Sequence, residues 1–105
     1  NVSTHRAIKK DNRFIAIGRL HFIDNKTSQI RYMGVEEEFQ KKGLGKLIVK
    51  EFERISIKKN IFKIILYSRE SAVMFYRKLG FITIEKAYRL KDVQHFLMEK
   101  LLTEK

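Results

Sequence analysis

The chain contains no cysteine and no proline in its 105 residues. No apolar run approaches the roughly 20 residues of a membrane-spanning helix. Without cysteine there is no disulfide framework and no thiolate metal site, which fits a reducing cytoplasm as the expected location. The three histidines, His5, His21 and His95, show no metal-ligand spacing. The opening residues lack a signal-peptide pattern, and the chain starts on Asn1 rather than Met. Internal repeats, low-complexity stretches and linker-like segments are absent too, so a single domain is expected. Acid is scarce: 12 Asp and Glu stand against 23 Lys and Arg, a net charge of +11. Such a surplus suits nucleic acid, acidic lipid or a polyanionic cofactor. The basic residues are spread along the whole chain, with no arginine-rich block and no aromatic-interleaved basic stripe. A lysine-decorated surface is therefore preferred, and a nucleic-acid-binding domain is kept as an alternative.

What is present is enough for a core, since 44% of the residues are hydrophobic. A chain of this size buries roughly 65% of the surface it exposes when unfolded. Asn1–Lys10 is weakly patterned, and only Ala7–Lys9 reads as strand-like. Arg13–Asp24 alternates with period two and predicts a strand covered on both faces. Asp24-Asn25-Lys26 is a turn. Thr27–Val35 returns as a second strand, antiparallel to the first.

Gly43–Lys59 is the strongest helix. Leu44, Leu47, Ile48, Phe52 and Ile55 share one face; Lys46, Lys50, Glu53, Arg54 and Lys58 share the other. Asn60 is a C-terminal stop. Ile61–Tyr67 reads as a strand buried on both faces. A helix capped by Ser68 or Ser71 then runs to Leu79, ended by Gly80 in the left-handed region. Phe81–Lys86 is a strand, Ala87–Gln94 a polar excursion, and His95–Leu102 the last strand. The order β-β-α-β-α-β-β predicts an α/β (α+β) fold. Its sheet is mixed, mostly antiparallel and twisted, with helices packed on it.

One stretch has a chemical pattern: Gln40-Lys41-Lys42-Gly43-Leu44-Gly45-Lys46, between a strand and the long helix. Glycines let backbone approach a ligand closely. A helix starting here offers unpaired N–H groups and the positive end of its dipole, an anion site suited to phosphates. Two glycines among three lysines have no evident packing reason. The loop is neither a Rossmann fingerprint, lacking the third glycine, nor a P-loop, because Gln40 stands where that motif has glycine.

Gln-x-x-Gly-x-Gly in this setting resembles the pyrophosphate loop of the GNAT N-acyltransferase superfamily. Arg69-Glu-Ser-Ala-Val-Met-Phe-Tyr-Arg-Lys-Leu-Gly-Phe81 resembles that family's second signature, and the likeness runs from about Phe14 to Leu102. It implies a GNAT-like fold that lacks most of the usual N-terminal strand-helix-helix portion, with at most a remnant of that strand. It also implies acetyl-CoA as acyl donor. Met33, Gly34 and Val35 would face the pantetheine arm, and Gln40, Lys41, Lys42, Gly43, Leu44, Gly45 and Lys46 the pyrophosphate. Arg69 stands where many members carry an asparagine, with Ser71 nearby, and both are counted with the coenzyme-binding residues.

Acyl transfer to an amine needs a base for the amine, a donor for the oxyanion and a proton for the departing thiolate. The resemblance assigns the last to Tyr76, a phenol protonated at neutral pH; core packing is the plain alternative. It assigns the oxyanion donor to the Val35 backbone N–H. No acid lies within Phe62–Tyr67 to serve as base. His95 is the preferred candidate, ahead of His21, which reads as a paired strand residue, and Glu36, which reads as a turn carboxylate. Arg31 either faces the acceptor groove or forms an ion pair; Tyr32 and Phe39 read as packing residues. The expected function is an acetyl-CoA-dependent N-acetyltransferase acting on a primary amine by direct attack in a ternary complex. The acceptor is a neutral or acidic small molecule or peptide, and a homodimer is expected. A non-catalytic acyl-CoA-binding or regulatory module is the first alternative.

Overall fold

The structure, a computed structural model, describes residues 2–102. Strands β1 (Val2–Lys10), β2 (Arg13–Phe22) and β3 (Thr27–Val35) come first. Helix α1 (Leu44–Lys58), strand β4 (Lys63–Arg69), helix α2 (Val73–Lys78) and strands β5 (Ile82–Leu90) and β6 (Val93–Leu101) follow. Short 3-10 turns at Glu37–Phe39 and Glu70–Ala72 precede the two helices. The six strands form one sheet in the order β1-β2-β3-β4-β6-β5. Only β3 and β4 run parallel, and α1 is the crossover that a parallel pair requires.

Two elements differ from the sequence expectation, and both are sheet edges. Val2–Lys10 is a full strand paired with β2 along its length, where the sequence reads as strand-like only at Ala7–Lys9. Ala87–Gln94 is not an excursion: β5 runs to Leu90, turns at Lys91-Asp92, and re-enters as β6. Asp11-Asn12 and Lys91-Asp92 are two-residue turns with φ of 52°, 66°, 50° and 64°. That left-handed pair matches the twist of the strands it joins. Every residue of β5 is exposed, so burial imposes no alternation on its sequence.

The core lies under α1. Ile48, Val49, Phe52 and Ile55 of the helix meet Ala16, Leu20, Ile30, Ile64, Leu66 and Met98 of the sheet. Gly18 allows the close approach, because a Cβ there would lie 2.8 Å from Ile48 Cγ2 and 3.1 Å from Phe52. Ser28 Oγ and Ser56 Oγ, both buried, meet at 2.9 Å and satisfy each other between β3 and α1. Three packing expectations are corrected. Leu47 is 60% exposed, and Glu53 is buried. In β2, Phe14 and Ile17 are exposed, because no element of the described chain covers that face. In β4 the second face is only half-buried, ending in exposed Tyr67.

Glu53 is tolerated in the interior because Lys100 Nζ donates to its Oε2 at 3.0 Å and to the Leu79 carbonyl at 2.7 Å. One ammonium thus ties α1, β6 and the end of α2. Asn60 and Gly80 close the helices with φ of 63° and 100°, as expected. Neither Ser68 nor Ser71 caps α2 with its side chain; Ser68 Oγ donates instead to the Arg69 carbonyl at 2.8 Å.

Candidate active site

The site begins with an extra residue. Opposite β2, Leu20 faces Ile30 but Arg19 faces Tyr32. Arg31 is therefore a bulge in β3, and bulges bend the strand that carries them. Parallel pairing between β3 and β4 stops at the same point, with Ile30 against Leu66. Beyond it β4 keeps only β6, up to Arg69 against His95. The two strands part, and a cleft opens between Arg31–Val35 and Tyr67–Arg69.

The backbone of β3 faces this cleft in a defined way. The Glu36 N–H donates to the Ile15 carbonyl at 2.9 Å. In an antiparallel ladder, alternate residues bond across the pair and the others point away. Gly34 and Tyr32 therefore direct their backbone groups to β2, while Met33 and Val35 direct theirs to the cleft. Consistently, the Val35 carbonyl accepts from Gln40 Nε2 at 2.9 Å. That bond also fastens the following loop to the end of β3.

On one side of the cleft a groove of about 430 Å³ is lined by Met33, Val35, Gln40, Lys41, Gly43, Leu44, Gly45, Ser71, Phe75 and Tyr76. Helix α1 starts here without a side-chain cap and without an acid in its first turn. Its first N–H groups point at the groove with the positive end of the helix dipole. Gly43 has φ 84° and open space where a Cβ would be, so its backbone conformation is what calls for glycine. Gly45 does have a packing reason, contrary to expectation: a Cβ would sit 3.0 Å from Phe75 Cζ. Lys42 and Lys46 are exposed and do not line the groove.

On the other side lies a cavity of about 470 Å³, lined by residues that include Arg31, Tyr32, Tyr67, Arg69, Tyr88, Lys91 and His95. Met33, Ala72 and Tyr76 line both spaces. Tyr76 is buried, with Phe75 and Phe81 edge-on to its ring at 4.9 and 5.7 Å. Burial pushes its phenol up to about 12, and the Arg69 guanidinium pulls weakly the other way. His95 is buried against Tyr88, whose ring stacks on it at 4.6 Å. The His95 Nδ1 lies 3.1 Å from the Val93 carbonyl. A carbonyl only accepts, so Nδ1 is the donor in this contact.

The remaining candidates lie apart. Arg69 lines the cavity rather than the groove, and Gly34 lines neither. Tyr32 also lines the cavity, and Phe39 the groove, with Lys10 and Arg13 over its ring. Glu36 pairs with Arg13 at 3.0 Å, and Glu38 pairs with the same guanidinium. His21 sits on the β1 side, 3.2 Å from Ser3 Oγ; desolvation and the charge of Arg31 hold its imidazole below the usual range. Tyr67, Tyr88 and Lys91 were not singled out from sequence, because the hairpin that carries two of them reads there as an excursion. Among the described residues no three His, Cys, Asp or Glu cluster to hold a metal, and no helix is long and apolar enough to cross a membrane.

Comparison with known proteins agrees with this geometry. The Acetyltransferase (GNAT) domain family matches residues 3–102. A Bacillus subtilis (strain 168) protein provisionally named an acetyltransferase is 34% identical over 74 residues, 70% of this chain and 50% of its own length. The chain spans about half the length of the curated relatives it matches. The PaiA N-acetyltransferase of Thermoplasma acidophilum, solved with coenzyme A, superposes with a TM-score of 0.83 at 25% identity, over 94% of this chain and 60% of that one. An aminoglycoside 6'-N-acetyltransferase in complex with coenzyme A gives 0.87 at 13% identity, over 98% and 74%. With a split sheet, an uncapped helix start after Gly43 and a family match over nearly its whole length, the chain belongs to the GNAT acetyltransferase family.

Proposed function

We propose that the chain is an acetyl-CoA-dependent N-acetyltransferase that moves an acetyl group to a primary amine by direct attack in a ternary complex. The observation that carries this reading is the position of Tyr76 in the wall shared by groove and cavity. A donor thioester in the groove and an amine in the cavity would meet beside its hydroxyl. The outward backbone groups of Met33 would pair with the pantetheine arm. The start of α1, with Gln40, Lys41 and Gly43 to Gly45, would hold the pyrophosphate.

The amine attacks the thioester carbonyl and a C–N bond forms. The oxyanion takes the Val35 N–H as donor. The C–S bond then breaks, and the thiolate takes a proton from Tyr76. The ammonium proton passes to His95 Nε2, directly or through water. Burial keeps the Tyr76 hydroxyl protonated across the working pH range and also makes it a weaker acid, so its proton moves as the C–S bond breaks and negative charge builds on sulfur. Steady-state release of the free thiol tests the assignment. Tyr76→Phe should lower kcat by about 10² to 10⁴ with acetyl-CoA binding retained, and His95→Gln should lower kcat within the same range. An unchanged kcat in Tyr76→Phe would overturn the role given to it.

A further inference from the structure

The cavity on the acceptor side has a charge pattern of its own. We propose that the acceptor is a small primary amine that also carries an anionic group, a carboxylate or a phosphate; this rests on the acetyltransferase reading above. The volume, about 470 Å³, lies within the roughly 300–1,000 Å³ of small-molecule sites. Among the described residues three cationic side chains line it, Arg31, Arg69 and Lys91, and no Asp or Glu does. They come from three separate elements: the bulge of β3, the last residue of β4 and the tip of the β5–β6 hairpin.

Among the described residues none of the three is paired with a carboxylate. The acids in the ion pairs are engaged elsewhere. Glu36 and Glu38 hold Arg13, Glu51 holds Arg6 and Arg54, Glu53 holds Lys100, and Glu99 lies near Lys63. Glu70 and Asp92 neighbour the cationic residues in sequence but do not line the cavity. Arg31 is held by a neutral partner, Gln29 Oε1 at 3.1 Å from its Nε, which leaves its charge uncompensated. An adjoining hollow shares Arg31 and Tyr32 and adds Arg19, which extends the positive field.

Such a field selects twice. It attracts an anionic group on the acceptor, and it repels a second positive charge. It also disfavours the ammonium form of the bound amine, which raises the fraction present as neutral nucleophile. Tyr67 and Tyr88, with ring centroids 5.5 Å apart and planes tilted by 44°, supply an aromatic corner for the body of the molecule.

The test uses the full chain and matched aryl methylamines with acetyl-CoA. These are para-(aminomethyl)benzoate, para-(aminomethyl)phenyl phosphate, the neutral para-(aminomethyl)benzamide and the cationic para-(aminomethyl)benzamidine. The expected result is a kcat/KM at least about tenfold higher for the anionic probes than for the benzamide, with the benzamidine lowest. The better of benzoate and phosphate names the anion. Lys91→Glu should shrink the anionic-to-neutral ratio by about tenfold and raise the benzamidine rate; Arg31→Gln, which adds no charge, should shrink the ratio in the same sense. Equal rates within about twofold, or a preference for the benzamidine, would overturn the proposal. So would a coenzyme-binding wild type that neither turns over nor saturably binds the anionic probes. Failure of folded wild type to bind acetyl-CoA in calorimetry would instead overturn the acetyltransferase reading beneath it.

Discussion

Tyr76 answers two demands that usually conflict. It packs in the core between Phe75 and Phe81, yet it lines both spaces of the cleft. Core packing and the proton-donor role proposed for it are therefore compatible. Burial shifts the phenol from 10.0 to about 12, and that shift has a stability consequence. The folded state keeps the proton where the unfolded chain releases it. The contribution is present below pH 10 and is lost as pH rises from 10 to about 12. Denaturant unfolding of wild type and Tyr76→Phe across that window should show the wild type losing stability faster, with parallel curves below pH 9. Gly45 teaches a related lesson. Its glycine reads as room for a ligand, but room for the Phe75 ring accounts for it as well.

At the scale of elements, α2 is a helix of only six residues, too short to hold itself. Its position rests on what grips its end. Lys100 supplies that grip, bridging the Leu79 carbonyl and buried Glu53. Removing Lys100 would leave part-buried Glu53 with only the looser, more exposed Lys50 ammonium at 3.8 Å. Lys100→Met should cost about 2 kcal/mol, read as a lowered midpoint in urea at unchanged slope. A midpoint equal to wild type would mean that α2 is held by packing alone.

The same scale explains what was legible in the sequence. Strands β2, β3, β4 and β6 and helix α1 carry apolar residues at the period of their geometry, because each packs against the core. Edge strand β1 and the second half of β5 pair on one side and face outward, so His5, Arg6 and Arg89 leave no periodic trace, whereas the first half of β5 reads as a strand within Phe81–Lys86. The pyrophosphate-type loop was legible because Gly43 and Gly45 are local. The cleft was not, since the Arg31 bulge exists only relative to its partner strand. Nor were Tyr88 and Lys91, which reach the cavity through a hairpin hidden in a polar stretch.

Across the whole molecule, the split between β3 and β4 divides labour. One side offers an uncapped helix start and outward backbone groups. The other offers an aromatic and cationic cavity, and Tyr76 stands between them. The net charge of +11 favours approach of a polyanionic coenzyme to either side, so specificity must come from the groove itself. The central claim is that this groove binds acetyl-CoA. Calorimetric titration of acetyl-CoA into wild type, Gly45→Val and Lys41→Glu, each checked by thermal melting, tests it most directly. The account predicts saturable one-to-one binding by wild type, weakened at least about tenfold in a folded variant, the valine by pushing the Phe75 ring into the groove and the glutamate by repelling phosphate. A folded wild type that gives no binding heat, or variants that bind as tightly as wild type, would contradict it.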